Sequence, residues 1–449
     1  MKSCRLISAV VALSFGFATT ASAQEQGWLR DRRYQEGIGI RTGDLELHPG
    51  AALELGYDSN YFLRSSRDPA LQPVPAARIR VTPSLALSTL SPQRREGEGV
   101  AAPPKVSVRA NAAATYNDFF AVRSSDSDAL SGQRNITGLA NVSLGILPQR
   151  PWGGDLYGDF VRTAQPSQNP DADYNRIGTR LGAGVSWAPG GGMFDWRLGY
   201  EYGLTYFEQS QFRTLSTYQH QINTRGRWRF LPRTAVLYDA SLGFLHNVNP
   251  SPGRLESEPV RARLGLNGLI SPSFALLAMG GWGSSFYKGA SNAEQYDGPI
   301  GQVELRWFVV PTGGNDPGAG ASPSSIAVGY MRDFVNSYVS DYYTNDRIYI
   351  GASCFFGGRF LLTADGGIAL QSYSTVYNAA DRTRLSGPFE ATRVDTTAFG
   401  EYRLADSFGL NATLHYSANL TDEVVQFPTG TTYFDWKRFE AYVGLRWFL

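Results

Sequence analysis

The chain has 449 residues and a net charge of +1, with 41 Lys and Arg against 40 Asp and Glu, which implies no bulk electrostatic partner and points away from nucleic acid. Aromatics make up 13% and glycines number 49, while charged residues are only 18% and mean hydropathy is −0.25. Past the N-terminal stretch no run approaches the roughly 18 apolar residues of a membrane helix, but a membrane β-barrel also averages out as polar, because half of each strand faces water.

Lys2 and Arg5 precede an apolar run over 6–18, followed by the small-x-small site Ala21-Ser22-Ala23. This is the pattern of a secretory signal peptide, so 1–23 is expected to be removed. Cys4 goes with it, leaving Cys354 alone and no intrachain disulfide. On the register below, Cys354 falls on the apolar face of its strand as a small hydrophobe. Residues 24–46 are polar, with Arg30, Asp31, Arg32 and Arg33, and are expected to form a short periplasmic leader.

From 47 to 449 one unit repeats: a stretch of alternating apolar and polar residues, then a turn. Period two means β-strand. In 47–57, Ala51, Leu53, Leu55 and Tyr57 face one way, and the strand runs into a turn at Asp58-Ser59-Asn60. Ile79, Val81, Leu85 and Leu87 then alternate with Arg78, Arg80, Thr82 and Ser84. Strands follow at 106–116, 136–146 and, shorter, 155–161. In 174–187, Ile177, Leu181, Val185 and Trp187 oppose Arg176, Arg180 and Ser186; in 195–207, Trp196, Leu198, Tyr200, Tyr202 and Leu204 oppose Asp195, Arg197 and Glu201. Strands 219–230, 235–246, 260–270, 274–286, 299–310, 325–333, 347–356, 360–373, 392–404 and 408–420 continue the series. The last, 433–449, sets Phe439, Ala441, Val443, Leu445, Trp447 and Leu449 against Arg438, Glu440, Tyr442, Gly444 and Arg446.

The series predicts an all-β fold, a single transmembrane antiparallel β-barrel of about 18 strands (16–18) in the bacterial outer membrane. Connections after even strands are short, as at Leu231-Pro232-Arg233, Ser271-Pro272 and Ala405-Asp406-Ser407, while those after odd strands are longer and polar. Short periplasmic turns and long outer loops are the barrel asymmetry. Two even connections, 91–104 and 311–323, break it as Pro/Gly-rich excursions where a periplasmic partner could touch. Aromatics near strand ends suggest two interfacial girdles: Trp187, Trp228, Phe230, Trp307, Phe308 and Trp447 on the turn side, Tyr57, Tyr116, Phe207, Phe286 and Tyr373 on the loop side.

No enzyme is indicated. His48, His220, His246 and His415 are scattered, with no zinc spacing and no nucleophile motif, so no cofactor or metal set is assigned. Asp126-Ser127-Asp128 and Asn169-Pro170-Asp171-Ala172-Asp173 suit solvated turns, with calcium as the sharper alternative. Function is expected in the lumen. The lining candidates are Arg78, Arg80, Arg109, Arg180, Arg197, Arg225, Arg227, Arg229, Arg261, Arg263, Glu304, Arg306, Arg393, Glu401, Arg438, Glu440 and Arg446. As a set they form either cross-strand pairs holding the wall open or a mildly cation-rich passage.

Two resemblances sharpen this. The final strand resembles the C-terminal assembly signal of outer-membrane barrels, polar–x–Gly–x–x–aromatic–x–aromatic. Tyr442, Gly444, Trp447 and Leu449 fill it, Leu replacing the usual Phe, which implies lipid and the barrel assembly machinery as partners. His48-Pro49-Gly50 followed by Gly56-Tyr57-Asp58-Ser59-Asn60 resembles the opening of β-barrel porins tied to exopolysaccharide operons, and the strand number is similar to that of the integral (Wzp-type) barrels of split polysaccharide-export systems. That resemblance implies a porin-like conduit for exopolysaccharide export, with a periplasmic polysaccharide export protein as partner. A general diffusion porin for small anionic solutes is the alternative, and a structural or adhesion barrel comes third.

Overall fold

A computed structural model describes residues 39–90, 105–148, 151–166, 168, 173–190, 192–309, 324–357, 359–379, 381–427 and 430–449. The expected signal peptide, the expected leader up to residue 38, the connections 91–104 and 311–323 and the cluster at 169–172 lie outside them. The wall strands are β1 (Leu45–Asp58), β2 (Ala76–Thr89), β3 (Val106–Ala121), β4 (Asn135–Ile146), β5 (Trp152–Thr163), β6 (Arg176–Trp187), β7 (Phe194–Phe207), β8 (Thr217–Leu231), β9 (Thr234–Asn247), β10 (Glu256–Ser271), β11 (Phe274–Lys288), β12 (Tyr296–Phe308), β13 (Ser325–Asn336), β14 (Tyr342–Phe356), β15 (Phe360–Tyr373), β16 (Phe389–Ala405), β17 (Phe408–Leu420) and β18 (Trp436–Phe448). Each pairs antiparallel with its sequence neighbours, and β18 pairs back onto β1 from Gly50↔Phe448 to Asp58↔Glu440. The result is a closed antiparallel barrel of 18 strands.

Alternation sorts the wall into two surfaces. On β18, Phe439, Val443, Leu445 and Trp447 are exposed, while Arg438, Glu440, Tyr442 and Arg446 are buried. The same inversion runs round the ring: Ile270 is 65% exposed, Ile348 63%, Leu264 61% and Val443 59%. A soluble protein does not carry an aliphatic surface of that extent. In hydrocarbon it costs nothing, and ring closure satisfies the backbone N–H and C=O groups that lipid could not. Among the described residues no helix is long and apolar enough to cross a membrane; the strands make the crossing.

Several boundaries differ from the sequence reading. β1 begins at Leu45, and a short strand, Ile40–Thr42, folds back on Leu45–Leu47 through Gly43 at φ +58°. It lies on the β1 edge just beyond the end of β18, whose Leu449 N–H donates to the Pro49 carbonyl at 3.1 Å. β5 is longer than 155–161, because Gly153 and Gly154 break the visible alternation while Trp152 still pairs with Trp187. Asp58 is the buried last residue of β1, not part of an exposed turn. Ser124–Asp126 and Ser127–Leu130 form two helical turns, with Leu130 buried. The turn-side girdle is present on the outer face, with Trp152 and Trp187 at 5.9 Å and Phe274 and Trp307 at 6.5 Å between ring centres. Phe207, Phe308 and Tyr373 leave the girdles: each falls on the inward parity of its strand, and Phe207 packs edge-on against Tyr338 at 5.5 Å.

Candidate functional site

Every lining candidate sits on the row opposite the exposed apolar row of its strand, yet they do not form one uniform surface. Two arcs differ in chemistry.

The first arc crosses the seam where the ring closes. Arg438 Nε donates to both Asp58 carboxylate oxygens at 3.1 and 3.0 Å, and its Nη2 lies 3.2 Å from Glu440. Arg78 donates to the Tyr442 hydroxyl at 2.9 Å and to Asn117 Oδ1 at 2.7 Å, and lies 3.6 Å from Glu440. Arg80 pairs with Glu54 at 3.1 Å and stacks over the Tyr442 ring at 3.5 Å. Arg446 donates to Glu401 at 2.6 Å. All of these side chains are buried. Burying paired charges yields little net stability, because desolvation cancels most of the attraction. What such a network does supply is register: a slip of one residue would put Arg438, Glu440 and Tyr442 into lipid. Thus Arg78, Arg80, Glu401, Arg438, Glu440 and Arg446 are placed to hold the closure.

Residues that the sequence reading did not assign complete this seam. In the sequence Glu54 shows only as a polar member of an alternating strand, and Asp58 only as the start of the following turn. Gly56 lets the Tyr442 ring lie flat on β1: a Cβ there would meet Tyr442 Cδ1 at 2.1 Å. Ser59 exchanges hydrogen bonds with the Phe439 backbone, its N–H donating to the carbonyl at 2.9 Å and its Oγ accepting from the amide at 2.8 Å. Asn60 Nδ2 donates to the Lys437 carbonyl at 3.0 Å.

The second arc, β5 to β14, is wetter and is laid out as a run of pairs. Arg180 meets Asp159 at 3.0 Å, Arg197 meets Asp155 at 2.6 Å, Arg227 meets Asp195 at 2.6 Å and Arg263 meets Asp239 at 2.9 Å. Arg261 takes Asp333 at 3.0 Å, and Arg306 takes Glu304 at 2.9 Å, with the Tyr349 hydroxyl also donating to Glu304 at 2.9 Å. Tyr157 donates to Glu201 at 2.6 Å. Further round, Arg393 stacks over Trp436 at 4.3 Å. Arg109, Arg225 and Arg229 lie on the same inward rows with no side-chain hydrogen bond or ion pair among the described residues. The surplus of Arg over acid visible in the sequence is thus largely consumed by pairing, and a few guanidinium groups are left over.

At the long-loop end the connections lock to one another across the mouth. Arg382, at φ +57°, is the keystone of one group. Its Nη1 and Nη2 grip Asp341 at 3.1 and 2.7 Å, Nε donates to Asn292 Oδ1 at 2.8 Å, and the Gly253 and Asn292 carbonyls accept at 3.2 and 3.3 Å. All five of its N–H donors are used, and they tie together the connections β9–β10, β11–β12, β13–β14 and β15–β16. A second group joins the loop after β1 to the loops before β6 and β18. Arg67 Nη2 donates to Asp435 at 2.6 Å, Ser65 to Asp435 at 2.8 Å, and Gln168 to the Tyr433 carbonyl at 2.9 Å. Burial alone would push the Asp435 carboxyl up, but the bonds from Arg67 and Ser65 hold it below the ordinary aspartate value. Among the described residues no group of three or more His, Cys, Asp or Glu is gathered to hold a metal ion.

No protein-family model matches the chain, and no curated protein matches it. Among solved structures it is similar to the outer membrane protein opdK from Pseudomonas aeruginosa, at 11% identity over 90% of this chain and 99% of that one, with a TM-score of 0.46. It is also similar to OccAB4 from Acinetobacter baumannii, at 11% identity over 93% and 100% of the two chains, TM-score 0.41. A third is the FrpB iron transporter from Neisseria meningitidis, at 8% identity over 92% and 82%, TM-score 0.46. An even number of antiparallel strands closed on themselves, short turns at one end, interlocked long loops at the other and an aliphatic outer wall are the construction of an integral outer-membrane β-barrel, and that is what this chain is.

Proposed function

We propose that the barrel is a porin-like, non-enzymatic conduit whose cargo is an exopolysaccharide leaving the cell. The observation that carries this reading is the wet arc of β5–β10. There, Arg180–Asp159, Arg197–Asp155 and Arg227–Asp195 present hydrogen-bonding groups of both signs with little net charge, and Asp239 adds a half-buried carboxylate whose Arg263 partner is buried. A polyhydroxylated chain exchanges hydrogen bonds with water for hydrogen bonds with such a wall at small cost, and no single contact is strong enough to hold it. The segment Gly56-Tyr57-Asp58-Ser59-Asn60 adds its resemblance to exopolysaccharide-associated porins. Passage of a polymer requires the loop groups tied by Arg382 and Asp435 to part. A periplasmic polysaccharide export protein docked at the short-turn end would deliver the chain.

The test is deletion of the gene in the source bacterium and assay of surface and released polysaccharide. Loss of polymer, with precursor retained in the periplasm, is the expected result, and unchanged surface polymer would sink the export reading.

A second reading, diffusion of small anionic solutes, is favoured by the loop bridges across the mouth and by the unpaired Arg109, Arg225 and Arg229. In swelling assays on liposomes holding the purified barrel, faster entry of small dicarboxylates than of neutral sugars of equal size would support it. Equal rates would count against it.

A further inference from the structure

Arg225 stands in the middle of the β7–β10 charge row, and the charged residues around it are engaged with other partners. Directly across the ladder on β7 stands Arg197, a like charge. Arg197 turns away, donating from Nε and Nη2 to Asp155 at 2.9 and 2.6 Å and from Nη1 to Asn223 at 3.1 Å. On the other side, across the ladder on β9, stands Asp239. Its Oδ1 accepts from Arg263 Nε and Nη2 at 3.0 and 2.9 Å. Two residues along β8, Arg227 is taken by Asp195 at 2.7 Å. Arg225 itself makes no hydrogen bond, ion pair or ring contact among the described residues, and its side chain is exposed. It lies on the inward parity of β8, between the levels of Ile222 and Trp228, which are 48% and 52% exposed on the lipid side. The water that reaches it is therefore lumen water inside the apolar belt.

Like charges directly opposite on a ladder cost stability, and wall-building does not require one here, because Arg197, Arg227 and Arg263 each hold an acidic partner without Arg225. A guanidinium with five uncommitted donors in a confined aqueous passage is a ready receptor for a planar or tetrahedral oxyanion. We propose that Arg225 is the anion-binding, selectivity-setting contact of the lumen. Its ligand is a carboxylate or phosphate group on the cargo, and the proposal rests on the conduit reading above. The group is carried either by an acidic polymer or by a small free solute.

The test uses the full barrel in planar lipid bilayers. In a potassium chloride gradient the wild type is expected to prefer chloride. Arg225→Gln should lower the chloride-to-potassium permeability ratio roughly threefold and Arg225→Glu roughly tenfold, as one unit and two units of charge change at lumen distances imply, while Arg225→Lys should retain it. Added oligogalacturonate or inorganic phosphate should interrupt the current in wild type and lose that effect in Arg225→Gln. Interruption by the uronate oligomer assigns the anion to a polymer, and interruption by phosphate alone assigns it to a small solute. In urea unfolding, Arg225→Gln should be as stable as wild type or more so, because it removes a like-charge neighbour. Open channels whose permeability ratio and block are the same in Arg225→Glu and wild type would overturn the assignment, as would clear destabilisation by Arg225→Gln. Absence of any current in the wild type would instead overturn the conduit reading, and the assignment with it.

Discussion

Removing Arg438 should cost the barrel about 3–5 kcal/mol, and removing Asp58 with it should return most of that. Arg438 Nε lies 3.0–3.1 Å from the Asp58 carboxylate oxygens, Nη2 also donates to Asp58 and lies 3.2 Å from Glu440, and the three side chains are 6%, 0% and 1% exposed. At an effective dielectric of about 20, the attraction across roughly 3 Å is about 5 kcal/mol. Arg438→Ala leaves two carboxylates facing each other inside the seam, with Arg78 at 3.6 Å from Glu440 as the nearest remaining cation. Replacing both partners of the Arg438–Asp58 pair, as in Arg438→Met with Asp58→Asn, removes the charge that must be desolvated as well as the charge that compensates it. That double variant should lose no more than about 1–2 kcal/mol. The assay is urea unfolding from lipid vesicles followed by tryptophan fluorescence, since outward Trp447 and Trp307 leave lipid on unfolding. A coupling energy of at least about 2 kcal/mol between positions 58 and 438 is expected. If Arg438→Ala costs less than about 1 kcal/mol, or if the double variant loses the sum of the two single ones, the seam is not an electrostatic lock and the reasoning fails.

Gly56→Val should reduce the yield of folded, heat-modifiable barrel on gels and cost about 1–3 kcal/mol, because its Cβ would sit 2.1 Å from Tyr442 Cδ1; a normal yield would show that the ring can move freely. Arg382→Ala should free the loops it ties, raising the rate of chymotrypsin cleavage near Tyr377 roughly tenfold or more, as expected for loss of several charge-assisted bonds, with larger single-channel currents as a second readout. The Asp435 contacts should be sensitive to acid. Its folded value lies below the ordinary one, so the stabilisation is present above about pH 4 and is lost as pH falls through the lowered folded value. Protection of the loop 59–75 amides against hydrogen exchange, taken relative to their intrinsic rate at each pH, should therefore fall between pH 6 and pH 3 in the wild type. In Asp435→Asn the protection should already be low at pH 6, and wild-type protection that does not change with pH would refute the assignment.

The barrel was legible because lipid and lumen impose opposite polarity on alternate residues, and that rule acts locally. Val443 and Arg446 announce their faces without knowledge of any partner strand. The same locality explains the misses. Phe207, Phe308 and Tyr373 were placed in girdles by type and position near strand ends, but an aromatic ring is content in a lipid interface or under a packed loop, and only parity relative to the wall decides. β5 was read short because glycine carries no polarity. Cross-strand pairing was legible as a type, and Arg180–Asp159, Arg227–Asp195 and Arg263–Asp239 are direct ladder partners, but Arg197–Asp155 skips a strand and Arg438–Asp58 joins residues 380 positions apart, which no local pattern shows. The loop clamp of Arg382 was invisible for the same reason: its partners come from three other connections, and nothing near residue 382 names them.

The segment that carries the family resemblance turns out to be the part of β1 that closes the ring. Gly56 admits the Tyr442 ring, Asp58 receives Arg438, Ser59 continues the pairing to Phe439, and Asn60 ties the loop to Lys437, while Tyr57 faces lipid. Closure alone therefore accounts for Gly, Asp, Ser and Asn at their spacing, since each meets a specific group on β18. A barrel of any cargo could use the same closure. Information about cargo has to lie where side chains meet lumen water without being needed by the wall, and on the described strands that means the leftover guanidinium groups of the wet arc, Arg225 first among them. Substitutions in the seam should accordingly change assembly and stability while leaving permeability ratios untouched, and substitutions at Arg225 should do the reverse.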